Sequence, residues 1–239
     1  MRIVTWNLER GFHRRRCVIE QQQDRLAHNK ADIVVRTEVP ARMSTPKEGI
    51  ALSPAQREGD SGMEAWVSIA ADRCHPLRPE LPFERMAVAA QVIFENDPFL
   101  IYGSVLPWPN AIHQAPYLAR PGESPIELFA RVLREQVNDM ADMRKRWPDH
   151  TLIWAGDFNQ TLSGPNRVGS KKGRQLLFDA LAELDLVAWN KDSAHANPWL
   201  HAIDLICGPS CRRPRRVERF EPTFDGGDLS DHAGYLVEI

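Results

Sequence analysis

Apolar residues fall in short runs along most of this chain, a pattern that predicts buried strands more often than amphipathic helices. Arg2 to Leu8 reads as the first strand, with Asn7-Leu8-Glu9 at its C-terminal end. Ala31 to Thr37, carrying Ile33-Val34-Val35, reads as the second and closes on Glu38 and Pro40; a proline there is a natural stop. Residues 65–70 and 86–94 read as antiparallel strands separated by a Pro-rich stretch at 76–82. Phe99 to Leu106 reads as another strand, ending in Pro107-Trp108-Pro109-Asn110. Thr151-Leu152-Ile153-Trp154 is long enough for a buried strand and stops at Gly156. Short strands are expected near 186–189, 202–206, 215–220 and 233–238. The helical period is clearest over Pro125 to Arg146, where Ile126, Phe129, Ala130, Leu133, Val137 and Met140 share a face and Ser124 with Glu127 forms a capping box. Val18 to Asn29 and residues 174–184 read as two further helices. Residues 41–62 hold Pro, Gly, Ser and charges without periodicity and read as a loop lining the site.

Composition narrows the class. With 239 residues, 43% of them hydrophobic, the chain can bury a sizeable core. No repeat or low-complexity linker divides it, so one domain over 1–239 is expected. The formal net charge of −2 gives no global attraction to nucleic acid or an anionic membrane. Basic residues bunch at His13-Arg14-Arg15-Arg16 and at Arg212-Arg213-Pro214-Arg215-Arg216. Such runs are ordinarily solvated surface, and here they are also candidates for contacting a phosphate-bearing substrate. The N-terminus reads as a strand, and no run approaches the ~20 apolar residues that span a bilayer. The four cysteines lack zinc-like spacing or a disulfide framework. A soluble, cytoplasmic monomer is the expectation.

The candidate chemistry lies where the apolar runs end. Gly156-Asp157-Phe158-Asn159 follows one run, and a period of two sets Asp157 and Asn159 on one side with Phe158 on the other. Taken alone this is a turn sequence. Asn7 and Glu9, Glu38, Asp204, then Asp231 and His232 end or begin other runs in the same way. Together they predict side chains converging on one rim of a sheet. Carboxylate and amide oxygens are the donors that hard divalent cations prefer, so Mg²⁺ or Mn²⁺ is the expected cofactor.

In order and spacing, Thr5-Trp6-Asn7-Leu8-Glu9, Glu38, Gly156-Asp157-Phe158-Asn159, Ile203-Asp204 and Ser230-Asp231-His232 resemble the motifs of the endonuclease/exonuclease/phosphatase superfamily. The resemblance spans residues 3–239 and implies a four-layer α/β/β/α sandwich, two mixed sheets face to face with helices outside. It implies Glu38 as the main metal ligand, with Glu9 and Asp231 completing the metal environment. Asn7 would orient a ligand or the substrate phosphate, and Asp157, aided by Asn159, the attacking water. His232, positioned by Asp204, would stabilise the charge on the phosphoryl oxygens. One departure stands out: Val105 falls where many members carry a His or Tyr, and Asn110, His113 or Tyr117 are the nearby substitutes.

The resemblance implies metal-dependent phosphoester chemistry, and the first hypothesis is a phosphodiesterase acting on nucleic acid, with Arg212, Arg213, Arg215 and Arg216 as candidates to contact phosphates and aromatics such as Trp108 and Trp199 to stack on bases. The alternatives are hydrolysis of a small phosphoester or phospholipid headgroup, and a non-catalytic binding module with the same fold.

Overall fold

The computed structural model describes residues 1–12, 16–40, 43, 49–53, 63–77, 85–224 and 227–239. In chain order, β1 (Arg2–Asn7), α1 (Glu9–Phe12), α2 (Arg16–His28), β2 (Ile33–Pro40), β3 (Ile50–Leu52) and β4 (Met63–Ala71) come first. Then follow β5 (Cys74–Leu77), β6 (Ala87–Phe94), β7 (Asp97–Val105), α3 (Ala111–Gln114), α4 (Pro125–Arg146), β8 (Thr151–Asp157), α5 (Lys171–Glu183), β9 (Leu186–Ala188) and β10 (Asp204–Pro209). The chain ends with β11 (Arg216–Phe220), β12 (Thr223–Phe224), β13 (Gly227–Asp228) and β14 (Gly234–Glu238).

One six-stranded sheet runs β11-β14-β1-β2-β4-β3 and the other β5-β6-β7-β8-β10-β9. Each is mixed, with one parallel pair (β1 with β2, β7 with β8) among antiparallel neighbours. The period of two in β1 shows why the sheets stack. Ile3 faces the core between them, while Val4 and Trp6 join Leu8 in packing against Val18, Ile19 and Leu26 of α2. On the other side Leu128, Phe129 and Val132 of α4 and Leu177 and Leu181 of α5 cover the second sheet. The result is the expected α/β/β/α sandwich. Gly103 lets the sheets close: a Cβ there would lie 2.8 Å from Val67 Cγ1 and 3.2 Å from Val35 Cγ1.

Helix α4 runs from Pro125 to Arg146, as its periodicity predicts, and the Ser124–Glu127 capping box is formed. Other expectations shift. Residues 65–70 and 86–94 do not pair with each other; β4 belongs to one sheet and β6 to the other, and they face across the core. Alternation in sequence specifies a buried face but not the partner. Within the expected loop at 41–62, Ile50–Leu52 form an edge strand on β4, and 41–42, 44–48 and 54–62 lie outside the described residues. The Pro-rich stretch begins as a strand, since Cys74–Leu77 pair with β6. Helix α5 starts at Lys171, three residues early, because Ser170 caps it by accepting from Gly173 N at 2.9 Å. No helix among the described residues is long and apolar enough to cross a membrane.

Candidate active site

Strand direction brings the motif residues together. β1 and β2 are parallel and deliver Asn7 and Glu38 at their C-terminal ends. β8, in the facing sheet, delivers Asp157 at its own C-terminal end. β10 runs antiparallel to β8, so its first residue, Asp204, registers opposite Asp157. β14 runs antiparallel to β1, which puts Ser230-Asp231-His232, just before it, on the same rim. All eight sequence-predicted residues therefore meet at one end of the sandwich.

Asn7 sits at the junction of the two sheets. Its Nδ2 donates to Asp157 Oδ2 at 3.0 Å and reaches Glu38 Oε1 at 3.4 Å, while its Oδ1 accepts from Glu9 N at 2.8 Å. Asp157 is buried and also accepts from Asn159 N through Oδ1 at 2.9 Å. Asn159 turns its carboxamide to the main chain, donating to Leu106 O at 2.9 Å, and Phe158 packs inward on Trp154 with ring centroids 4.5 Å apart. Glu9 Oε2 accepts from Asp231 N at 2.9 Å, and Ser230 Oγ donates to Asn7 O at 2.8 Å. His232 Nδ1 bonds Asp204 Oδ2 at 2.6 Å, and Asp204 is fully buried. Glu9, Arg10, Glu38 and Asn159 all have positive φ, between 46° and 55°, so part of the rim's backbone is held in the left-handed region.

The carboxylates crowd one another. Burial and the charge of Asp204 push the Asp157 carboxyl up to about 7, against the opposing pull of His232. Burial, then Asp231 and Glu38, push Glu9 up to about 7 as well. For His232, burial favours the neutral ring, but the adjacent Asp204 carboxylate and its hydrogen bond outweigh it and hold the imidazole well above its ordinary range.

Two participants, Arg10 and His195, carried no sequence signal, and Ser230 was legible only as part of a motif, without its role. Arg10 donates from Nε to Glu38 Oε2 at 3.0 Å, and its guanidinium lies 5.7 Å from the Trp66 ring. Ser230 holds the strand end through Asn7. His195, buried, sets its ring edge-to-face on His232 at 5.2 Å. Only spatial proximity reveals these roles, because each depends on a partner distant in sequence.

Other candidates lie elsewhere. Val105 is buried in the core, Asn110 and His113 are exposed around α3, and Tyr117 packs against the core. Trp108 is half-buried, 5.7 Å from Trp66, whereas Trp199 is 74% exposed. Arg212, Arg213, Arg215 and Arg216 follow the far end of β10, and Arg216 registers with Glu238, level with Arg2 at the start of β1. They sit at the end of the sandwich opposite the acidic rim. Of the other basic run, His13, Arg14 and Arg15 lie outside the described residues, and Arg16 pairs with Glu20.

The model of the Endonuclease/Exonuclease/phosphatase family matches residues 4–232, from β1 through His232. The chain belongs to this family. Its members are hydrolases of phosphoester bonds. No curated protein matches the chain. Among solved structures, it is similar to the 3' phosphatase NExo from Neisseria bound to product DNA hairpin, with TM-score 0.70 and 16% identity over 100% of this chain and 99% of that one. It is also similar to the Xenopus laevis APE2 catalytic domain, with TM-score 0.65 and 16% identity over 99% and 91% of the two chains. A third likeness is D. rerio TDP2 complexed with single strand DNA product, with TM-score 0.58 and 16% identity over 99% and 97%. These likenesses establish the family's fold at low identity.

Proposed function

We propose that this protein is a divalent-metal-dependent phosphoesterase that hydrolyses a phosphodiester in nucleic acid. The observation that carries this reading is the Asn7 bridge, which sets Asp157 of one sheet beside Glu38 of the other with Asp204–His232 next to them. The donors fit a hard cation. Glu38, Glu9 and Asp231 offer oxygens alone, and Glu9 is raised by burial and then by repulsion from Asp231 and Glu38, which a cation would relieve. Those three residues would hold the ion, which when bound supplies charge neutralisation and polarisation of a phosphoryl oxygen.

The chain's own residues do the rest. Asp157, fixed by Asn7 and by the Asn159 main chain, orients the attacking water and takes its proton. His232, kept protonated by Asp204, donates to the phosphoryl oxygens on which charge accumulates. Arg10, on the open side of Glu38, offers a cation to a substrate phosphate. Nucleic acid is supported by the exposed Trp199 as a stacking surface, and by neighbours whose names describe bound DNA. Arg212, Arg213, Arg215 and Arg216, at the far end, would touch only substrate that extends well beyond the reacting phosphate.

The test is turnover on a panel of single-stranded, duplex and abasic DNA, DNA with a terminal 3' phosphate, RNA and small phosphoesters, with Mg²⁺ and with excess chelator. Metal-dependent cleavage of a nucleic acid supports the reading. Full turnover in chelator, or turnover of small phosphoesters alone, overturns it.

A further inference from the structure

His195 belongs to the loop before β10, and nothing in the mechanism above uses it. It is buried, and its Nδ1 accepts a hydrogen bond from Asn197 N at 3.1 Å. A backbone N–H can only donate, so Nδ1 carries the lone pair and the proton of the neutral ring resides on Nε2. That Nε2–H is buried and has no hydrogen-bond partner among the described residues. Beside it, Asp204 spends Oδ2 on His232 and leaves Oδ1, also buried, without a partner. One ring nitrogen from each histidine and one Asp204 oxygen lie within 4.8 Å of one another. His195 thus brings a stranded donor close to a carboxylate that keeps a stranded acceptor, and each left alone is costly.

The same trio has the composition of a transition-metal site, but the tautomer argues against that use. A metal on His195 Nε2 would require moving its proton to Nδ1, where Asn197 N–H already points.

We propose that His195 is a positioning residue for the phosphoester hydrolysis inferred above, its Nε2–H, unbonded in the structure, closing on Asp204 to give that carboxylate a second hydrogen bond. With Oδ2 on His232 and Oδ1 drawn to His195, the carboxylate would be held from both sides, and the direction of the His232 ring would be set twice. The first constraint is the 2.6 Å bond to Nδ1, and the second is the edge-to-face contact at 5.2 Å. The anchor itself is fixed by its own main chain, since His195 O accepts from Arg219 Nη2 and His195 N donates to Leu200 O.

The experiment compares His195→Phe, which keeps a ring in the pocket and removes the N–H, with His195→Gln, whose amide can donate from near the Nε2 position. Proton NMR of the metal-free protein reads the His232 Nδ1–H, which the short bond to Asp204 shifts far downfield. Steady-state kinetics on the best substrate read kcat and KM separately. In folded His195→Phe the downfield resonance should broaden or move upfield, and kcat should fall about tenfold with KM unchanged. His195→Gln should recover much of both. A folded His195→Phe that retains the resonance overturns the proposal whatever its activity, and so does a His195→Gln no better than Phe. Because the NMR reading needs neither substrate nor metal, it still decides about His195 if the proposed hydrolysis fails.

Discussion

Asp157 combines the features a base needs and a structural carboxylate lacks. It is buried, held from two sides by Asn7 and the Asn159 main chain, and pushed up to about 7 by burial and by Asp204. Asp157→Asn keeps the shape and removes the basicity, so kcat should drop by ~10²-fold or more with the melting temperature nearly unchanged. Steady-state kinetics beside a thermal melt would check both, and wild-type kcat in the folded variant would remove Asp157 from the mechanism. The same crowding sets a pH dependence. Asp157 and Glu9 ordinarily titrate at 3.8 and 4.5, and folding raises each to about 7, so the folded chain holds these protons more tightly than the unfolded one. Stability from this source is complete below the ordinary values and is lost as pH climbs through 7; the raised His232 acts in the same direction. The metal-free melting temperature should therefore fall between pH 5 and 8, and Mg²⁺ should flatten the fall; a metal-free melt that rises across this range would contradict the carboxylate crowding. Arg10 makes a third case. It occupies Glu38 Oε2 as an internal counter-ion, so Arg10→Ala should tighten Mg²⁺ binding by about 3–10-fold in calorimetry. Weaker binding would show that Arg10 does not compete with the ion.

The elements differ in how far their residues announced them. Helix α4 was readable from end to end because a capping box, a proline in its first turn and a long apolar stripe agree. The eight motif residues were readable because each closes or opens an apolar run, and strand direction does the rest. Partnerships were not readable: β4 and β6 alternate alike yet belong to different sheets, and β12 with β13 has too few residues to carry a pattern. Nor could Arg10 or His195 be found, since an arginine after a strand and a histidine in a loop are ordinary until their neighbours are known. Gly156 is a case where the residue type itself spoke. Its φ is +140°, and a Cβ would lie 1.9 Å from Ser104 O on the adjacent parallel strand. Gly156→Ala should cost about 1–3 kcal/mol or more and displace Asp157, read as a lower denaturant midpoint together with lost activity. An unshifted midpoint would mean that β7 and β8 have more freedom than their register implies.

At the scale of the whole molecule, the two ends of the sandwich have separate characters. The acidic rim is at one end, and Arg212, Arg213, Arg215 and Arg216 are at the other, beyond the five residue steps of β10, or roughly 17 Å. Replacing the four arginines with alanine should leave kcat/KM on a dinucleotide-sized substrate unchanged. Any loss should appear only on long substrates, together with a shallower salt dependence. An equal loss on short and long substrates would mean that the cluster acts at the rim after all. The chain also crosses between sheets and returns: β1 finds its antiparallel neighbour in β14, with Arg2 opposite Glu238. During synthesis, then, the sheet that carries Asn7 and Glu38 lacks the strand beside β1 until residues 234–238 have been made, and Asp231 and His232 emerge only just before them. Until then the candidate site is incomplete, and the β1 edge is exposed and open to wrong pairings. Whatever covers that edge until β14 is made bears directly on how much of the chain pairs correctly.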